Sequence, residues 1–288
     1  MIELEIFTDP MMGLSYESEP FLRYLETHYQ GQIQFRYRMA GLVRDIADFM
    51  LPEELALEEE EGIRRYNERL ARIYQAEEDI SGLPIKMRDF ALFTAQERSS
   101  LPLNKAYKAV ELLAPDVAEQ FLYRLRFAII VETRPMTQRQ ELLRLVEEMG
   151  LNLSDFIAFY DNGRAETAML EDFARWSSLR ARGLPAYVLR YGDKELLSQG
   201  LARVDDFVAA IRQISKGAIQ ETAPKANQEN LESFFKRHPL LSYQEVQAAF
   251  DLADEQAVQN VIQPLLEQKK LVIKTVEGGW FVERMEVD

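Results

Sequence analysis

The chain has 288 residues, of which 47% are hydrophobic, and it carries a formal net charge of −14 with two histidines and no cysteine. Its length allows one domain of ordinary size and a second, smaller unit. The negative charge disfavours nucleic acids and anionic membranes as partners, because nonspecific binding to either requires a basic surface. The lack of cysteine excludes dithiol exchange, thiolate nucleophiles, iron–sulfur clusters and cysteine zinc sites.

The first forty residues predict a β–α–β unit. Alternating apolar residues predict strands at 2–8 and 33–38, and a helical face of apolar residues predicts a helix at 14–29 between them. Such a unit normally forms a parallel strand pair with a right-handed crossover. Because the strand pattern follows Met1 directly and no run of about twenty apolar residues occurs, we expect a cytoplasmic chain.

The middle of the chain predicts a helical insertion at about residues 52–182. Apolar residues recur at helical spacing in six segments: 63–73, 103–114, 117–131, 138–149, 153–160 and 166–182. Strand patterns return at 186–191 and 195–197, and a helix is predicted at 204–214. A β–α–β start, a helical insertion and a β–β–α finish predict one α/β domain over residues 1–215.

The end of the chain predicts a second, smaller domain. Residues 216–228 contain few large apolar side chains and indicate a linker. Beyond them, three helices and a terminal hairpin predict a winged-helix-like domain over residues 229–288, with helices at 231–238, 243–250 and 254–268 and strands at 271–276 and 280–283. This domain has six Lys and Arg against eleven Asp and Glu, and the net charge of −5 argues against DNA binding.

Three segments together resemble the DsbA/FrnE branch of the thioredoxin fold. The stretch from Asp9-Pro10 to Glu19-Pro20 is similar to the family's Asp-Pro, Cys-x-x-Cys and acidic-Pro sequence. Ser99-Ser100 resembles the Ser-Ser segment that opens a helix of the inserted bundle, and Gly183-Leu184-Pro185 is similar to the Gly-x-Pro turn whose proline is normally cis. The likeness covers about residues 1–215 and implies an α/β thioredoxin fold with a DsbA-like helical insertion.

The chain departs from this family at Met12 and Ser15, which stand where the family has its two cysteines. Thiol exchange requires a thiolate at a helix N-terminus and a second thiol that resolves the mixed disulfide. The thioether of Met12 cannot ionise, and the hydroxyl of Ser15 has no histidine near it in sequence that could act as a base. Kinship alone would group the chain with disulfide oxidoreductases and isomerases, but their redox activity does not transfer.

The resemblance also implies a peptide-binding surface. A cis-proline loop can expose the backbone N–H and C=O of the preceding residue, here Leu184 before Pro185, and an extended peptide can pair with them as an added strand. Beside that loop, a soft apolar patch would come from the former cysteine motif, namely Met12, Gly13, Leu14 and Ser15. The alternative is structural: Met12 and Leu14 cap the core, and Pro185 makes a turn.

The order of the two predicted domains favours a function without thiol chemistry. A DsbA-like domain without cysteines, followed by a small helical unit, resembles the ClpXP adaptor family that recruits the regulator Spx. In that family the fold holds a client for degradation, so the resemblance implies a protein or peptide client, a regulator and a ClpXP-type protease as partners. A purely structural or oligomerisation role of the tail is a further alternative.

An enzyme that borrows its thiol is the competing interpretation. Kappa-class glutathione transferases resemble this fold and carry a serine near the start of the same helix, so glutathione would be the cofactor and Ser15 would hydrogen-bond its thiolate. Ser15 stands at the second cysteine position, however, and not at the first. His28 and His238 lie far apart and have no second histidine at metal-ligand spacing, so no metal site is predicted.

Overall fold

The computed structural model describes residues 1–285 and begins with the predicted β–α–β unit. It consists of β1 (Ile2–Thr8), the short helix α1 (Gly13–Tyr16), α2 (Glu19–His28) and β2 (Ile33–Met39), with β1 and β2 parallel. The prediction of a single helix at 14–29 is wrong, because the structure has two helices here, with an interruption between Tyr16 and Glu19. Pro20 explains the break, since it has no N–H to donate to the carbonyl of Tyr16.

A bundle of helices follows β2 and forms its own apolar core. The helices are α3 (Pro52–Leu55), α4 (Glu59–Glu77), α5 (Leu101–Leu113), α6 (Ala118–Ile130), α7 (Arg139–Glu148), α8 (Leu153–Asp161) and α9 (Arg164–Ser178). The irregular segment between α4 and α5 contributes Leu83, Leu92 and Phe93 to this core. The six helices predicted here are confirmed, but α9 ends four residues before 182, because Arg180 adopts a left-handed backbone conformation with a φ of 52°.

The chain then returns to the sheet through β3 (Ala186–Tyr191) and β4 (Lys194–Gln199), followed by α10 (Val204–Ser215). The strand order is β2-β1-β3-β4, and β3 runs antiparallel to β1 with Ala186 opposite Phe7. Helices α2 and α10 cover one face of the sheet, where Phe21, Tyr187 and Phe207 pack edge to face. This mixed α/β sheet with its helical insertion is the predicted thioredoxin fold of the DsbA type.

The last elements are α11 (Gln228–Arg237), β5 (Leu240–Ser242), α12 (Tyr243–Ala249), α13 (Glu255–Glu267), β6 (Leu271–Val276) and β7 (Gly279–Arg284). The three predicted helices and the hairpin are present, and the unpredicted β5 completes a sheet in the order β5-β7-β6. These elements have an apolar cluster of their own, which includes Phe234, Val246 and Ile262. Their assignment as a separate winged-helix-like domain stays a prediction.

Helix α12 packs along α2, so the C-terminal elements lie against the thioredoxin fold. The sequence indicates a linker at residues 216–228, and all of these residues except Gln228, which begins α11, lie outside helices and strands. The N–H of Thr222 donates to the carbonyl of His28. His28 Nε2 in turn lies 2.8 Å from the Asp251 carboxylate, just beyond α12. Among residues 1–285, no helix combines the length and the apolar character that a bilayer crossing requires.

Candidate functional site

The N-terminus of α1, where the sequence places the former cysteine motif, is covered by α4. The hydroxyl of Tyr74 donates to the carbonyl of Met11. A Cβ on Gly13 would lie 1.8 Å from Glu77 Oε2 and 2.6 Å from Tyr74 Cδ1, so only glycine fits beneath these side chains. Met12 is 8% exposed and Gly13 is buried, while Leu14 is half-buried. The predicted apolar patch therefore has little free surface on this side.

Ser15 is turned into the protein and away from solvent. It is 3% exposed, and its Oγ accepts a hydrogen bond of 2.7 Å from Thr8 Oγ1. A role in holding a glutathione thiolate would require that hydroxyl to face a bound ligand. The geometry therefore does not favour the glutathione-dependent alternative.

Asp9 connects the Asp-Pro segment to the Ser-Ser segment through hydrogen bonds. Its buried Oδ2 accepts hydrogen bonds from Ser100 Oγ at 2.7 Å, from Asn104 Nδ2 at 2.8 Å and from the backbone N–H of Leu42 at 2.8 Å. Burial raises the pKa of Asp9, and these hydrogen bonds oppose the shift. This carboxylate fixes the start of α5 against the end of β1, which is a structural role.

Two further carboxyl groups lie beside α1, and the sequence analysis did not identify them. Burial, opposed by hydrogen bonds from Ser81 and supported by the charges of Glu77 and Glu78, raises the pKa of Glu17 to about 8. Burial also raises the pKa of Glu77 to about 7. Glu77 lies against Gly13, and burial already disfavours its ionised form, so a thiolate at this helix end would also form in surroundings that disfavour an anion.

The Leu184–Pro185 turn forms the other side of the site. The peptide bond is cis, Pro185 is buried, and its carbonyl accepts a hydrogen bond of 2.8 Å from the N–H of Gly200. Leu184 is half-buried beside Trp176. Within residues 1–285, neither the N–H nor the C=O of Leu184 takes part in a hydrogen bond. The pairing groups that the sequence analysis expected at this residue are thus unused.

The two halves of the predicted groove meet at the end of β1. Because Ala186 pairs with Phe7, the preceding Pro185 lies next to Thr8, and the loop that leads to Met12 starts there. The structure therefore brings the 12–15 and 184–185 segments to the same end of the sheet, where β1 ends and β3 begins. In these two segments Leu14 and Leu184 are half-buried, whereas Met12, Gly13, Ser15 and Pro185 are buried.

A network of buried polar side chains starts at Ser15 and extends from the end of β1 into the protein. Thr8, which donates to Ser15, accepts a hydrogen bond of 2.6 Å from Arg126 Nη2. Arg126 Nη1 lies 2.5 Å from Glu19 Oε1, and both side chains are almost fully buried. Glu19 belongs to the acidic-Pro pair, so that motif serves to hold a buried arginine that no sequence pattern indicated.

This network of buried polar side chains continues into the C-terminal elements through Arg23. Arg23 Nη2 donates to Glu19 at 3.0 Å, and Nη1 lies 2.8 Å from His238 Nδ1. His238 Nε2 lies 2.7 Å from Glu26 Oε2. Burial raises the pKa of Glu26, but the contacts with His238 and Arg23 outweigh burial and lower this pKa to about 2. Burial raises the pKa of Glu245, near Arg23 Nε, to about 7. His238 thus links α2 to the C-terminal elements.

Comparison with known proteins agrees with this description. The family model described as Thioredoxin matches residues 6–207. The ClpXP adapter protein SpxH of Shouchella clausii is 22% identical over 284 residues, which cover 97% of this chain and 87% of that protein.

Two solved structures share the fold. The cytosolic disulfide reductase DsbM from Pseudomonas aeruginosa aligns with a TM-score of 0.56 and 20% identity over 75% of this chain and all of that one. A probable DsbA oxidoreductase from Streptomyces coelicolor aligns with a TM-score of 0.57 and 16% identity, covering 78% of this chain and 95% of that one. The chain belongs to the thioredoxin family, as a cysteine-less member with a DsbA-like fold.

Proposed function

We propose that the chain is a noncatalytic adaptor that holds a protein client and presents it to a ClpXP-type protease. The observation that carries the proposal is the lack of any thiol in a thioredoxin fold whose helix end is closed. A fold that cannot exchange disulfides can still bind a segment of another protein. The similarity to a ClpXP adapter over 97% of the chain supports the same role.

The proposal assigns the two parts of the chain to one task. Residues 1–215 would bind the client at the edge where the backbone of Leu184 has no partner within residues 1–285, and residues 229–288, as a winged-helix-like unit, would stay docked through His238 and Glu245. By analogy with the adapter relatives, the client would be a regulator of the Spx type. Such a role would place the chain in the cytoplasm with its client and protease.

A reconstituted degradation assay tests this function. The full chain is mixed with ClpXP, ATP and a Spx-type regulator from the same organism, and the amount of regulator is followed over time. We expect the regulator to disappear several-fold faster with the chain than without it. An unrelated ClpXP substrate serves as the control and should be degraded at the same rate in both cases.

A second assay separates the adaptor from an enzyme. The purified chain is added to insulin and dithiothreitol, and the precipitation of reduced insulin is recorded. We expect no acceleration over the thiol alone, because the chain has no sulfur that can become an anion. Acceleration at an enzymatic rate, or no effect on the decay of the regulator, would contradict the proposal.

A further inference from the structure

The edge around Leu184 carries arginines without a carboxylate partner among residues 1–285, in a chain whose net charge is −14. Of the five Lys and Arg between residues 176 and 203, Arg190 is paired with Glu3, Glu5 and Glu195. Three of these arginines, Arg180, Arg182 and Arg203, are exposed. Within residues 1–285 none of the three forms a salt bridge, although most arginines of the protein do.

Backbone contacts bring these arginines to the two segments that border Leu184. The N–H groups of Arg182 and Gly183 both donate to Gln199 Oε1, at 2.7 and 3.1 Å. The N–H of Gly200 donates to the carbonyl of Pro185, so the segment that leads to Arg203 runs beside the cis-proline turn. Arg180 and Arg182 precede the turn on one side, and Arg203 follows on the other.

Exposed leucines accompany the arginines. Leu201 is 43% exposed and Leu197 is 39% exposed. Leu197 pairs with Val188 across the β3–β4 ladder, so the two side chains share the face on which Leu184 packs. Because β4 is an edge strand, nothing within the described sheet covers this border.

We infer that this edge, formed by Arg180, Arg182, Leu184, Leu197, Leu201 and Arg203, binds an extended protein segment that carries both carboxylates and large apolar side chains. The inference rests on the proposed adaptor function and names the chemistry of the client. The unused N–H and C=O of Leu184 fit the backbone of an extended chain. The leucines fit apolar side chains, and the unpaired guanidinium groups fit carboxylates.

Charge also explains why such a segment would bind at this edge. An acidic segment is repelled by the net negative charge of the chain and attracted to the three arginines near Leu184 that form no salt bridge within residues 1–285. A nucleic acid would satisfy the arginines but would leave the leucines and the backbone pair without partners. We therefore assign a protein segment to this edge.

The probe is a fluorescein-labelled ten-residue peptide of alternating leucine and glutamate, with a leucine–lysine peptide and a ten-nucleotide RNA as comparisons. Fluorescence polarisation with the full chain measures Kd at low and high salt. We expect the acidic peptide to bind at least about tenfold more tightly than the lysine peptide, with a difference that shrinks in high salt. Equal affinity for the two peptides, or tighter binding of the RNA, overturns the inference.

Charge reversal locates the binding surface. The variant Arg180→Glu/Arg182→Glu/Arg203→Glu should bind the acidic peptide at least about tenfold more weakly than the wild type. The control variant, Arg72→Glu/Arg164→Glu/Arg212→Glu, makes the same charge change at three exposed arginines that also lack salt bridges, and it should bind within about twofold of the wild type. Circular dichroism checks that both variants are folded.

The degradation assay distinguishes this inference from the adaptor function. If the wild type and the control variant accelerate client decay and the Arg180→Glu/Arg182→Glu/Arg203→Glu variant does not, the adaptor function and the binding surface are both supported. If this triple variant delivers the client as well as the control variant, the inferred binding surface is wrong and the adaptor function remains. If the wild type has no effect on the client, the adaptor function itself fails.

Discussion

At the level of single residues, the lack of cysteine makes an introduced thiol a specific probe of the former active site. In the variant Met12→Cys/Ser15→Cys, the new thiols would stand at positions where the present side chains are 8% and 3% exposed, on either side of Gly13 and Leu14. We expect them to react with Ellman's reagent on the order of a hundredfold more slowly than a control thiol from Leu201→Cys, which lies at a 43% exposed position. Comparable rates would show that α4 does not cover this helix end.

Glu17 should give the stability of the protein a measurable pH dependence. Its pKa is about 8 in the fold and near 4.5 in the unfolded chain, so the unfolded state releases the proton first as the pH rises. The wild type therefore loses stability between about pH 4.5 and 8, and Glu17→Gln, which keeps an acceptor for Ser81, does not.

Urea unfolding at pH 5 and pH 8 measures this effect. We expect the free energy of unfolding of Glu17→Gln, relative to the wild type, to increase by about 2 kcal/mol or more between the two pH values. Groups that do not interact with Glu17 titrate equally in both proteins, so their contributions cancel in the difference, and the remaining change reports on Glu17 and its neighbours Glu77 and Glu78. An unchanged difference would show that Glu17 is ionised in the fold.

The sequence indicated the residues of the former motif but not their surroundings. Met12 and Ser15 could be identified because they follow Asp9-Pro10 at the spacing of the cysteines. Arg126, which donates to the Thr8 hydroxyl beside Ser15, could not be identified, since it lies 118 residues from Thr8 in sequence and their pairing depends on tertiary packing. An arginine in an amphipathic helix pattern normally predicts a solvated side chain, and Arg126 is 1% exposed.

At the level of elements, the contact between α1 and α4 depends on one glycine. Gly13→Ala would place a Cβ 2.6 Å from the ring of Tyr74, which cannot move without disturbing the core of the insertion. We expect a loss of about 1 to 3 kcal/mol in the free energy of unfolding. Gly183→Ala is the matched control, because a Cβ there meets no atom within 4 Å, and it should change stability by less than about 0.5 kcal/mol.

Periodicity predicted most elements well, and it failed where one residue overrides the pattern. The strands β1 (Ile2–Thr8), β3 (Ala186–Tyr191) and β6 (Leu271–Val276) have the predicted bounds. The predicted first helix ignored Pro20, whose missing N–H divides it into α1 and α2. β5 escaped prediction because three residues are too few to show alternation.

At the level of the whole molecule, the buried charges between α2 and the C-terminal elements should make unfolding a single event. Trp176 reports on the thioredoxin fold and Trp280 on the C-terminal hairpin, and the chain has no other tryptophan. We expect the variants Trp176→Phe and Trp280→Phe to show coincident urea transitions by fluorescence, because separation would leave Arg23 without His238 and Glu245. An earlier transition for Trp280 would show two independent domains.

The predicted boundary at 216–228 shows the limit of composition as a guide to assembly. A stretch with few large apolar residues indicates a connection without regular structure, and that is what the chain contains there. It does not tell whether the units on either side touch. Here the contacts include the apolar packing of Phe281 on Phe127, and they also include His28, His238 and Glu245, three polar residues whose burial no periodic pattern predicts.

The sulfur content of the protein has a consequence for its behaviour under oxidative stress. Peroxide converts accessible thiolates to sulfenic acids and exposed methionines to sulfoxides. This chain offers no thiol, and Met11, Met12, Met39, Met136 and Met169 are shielded from solvent, whereas Met1 and Met285 are exposed at the ends of the described chain. Hydrogen peroxide that inactivates a cysteine-dependent relative should therefore leave the folded interior of this molecule chemically unaltered.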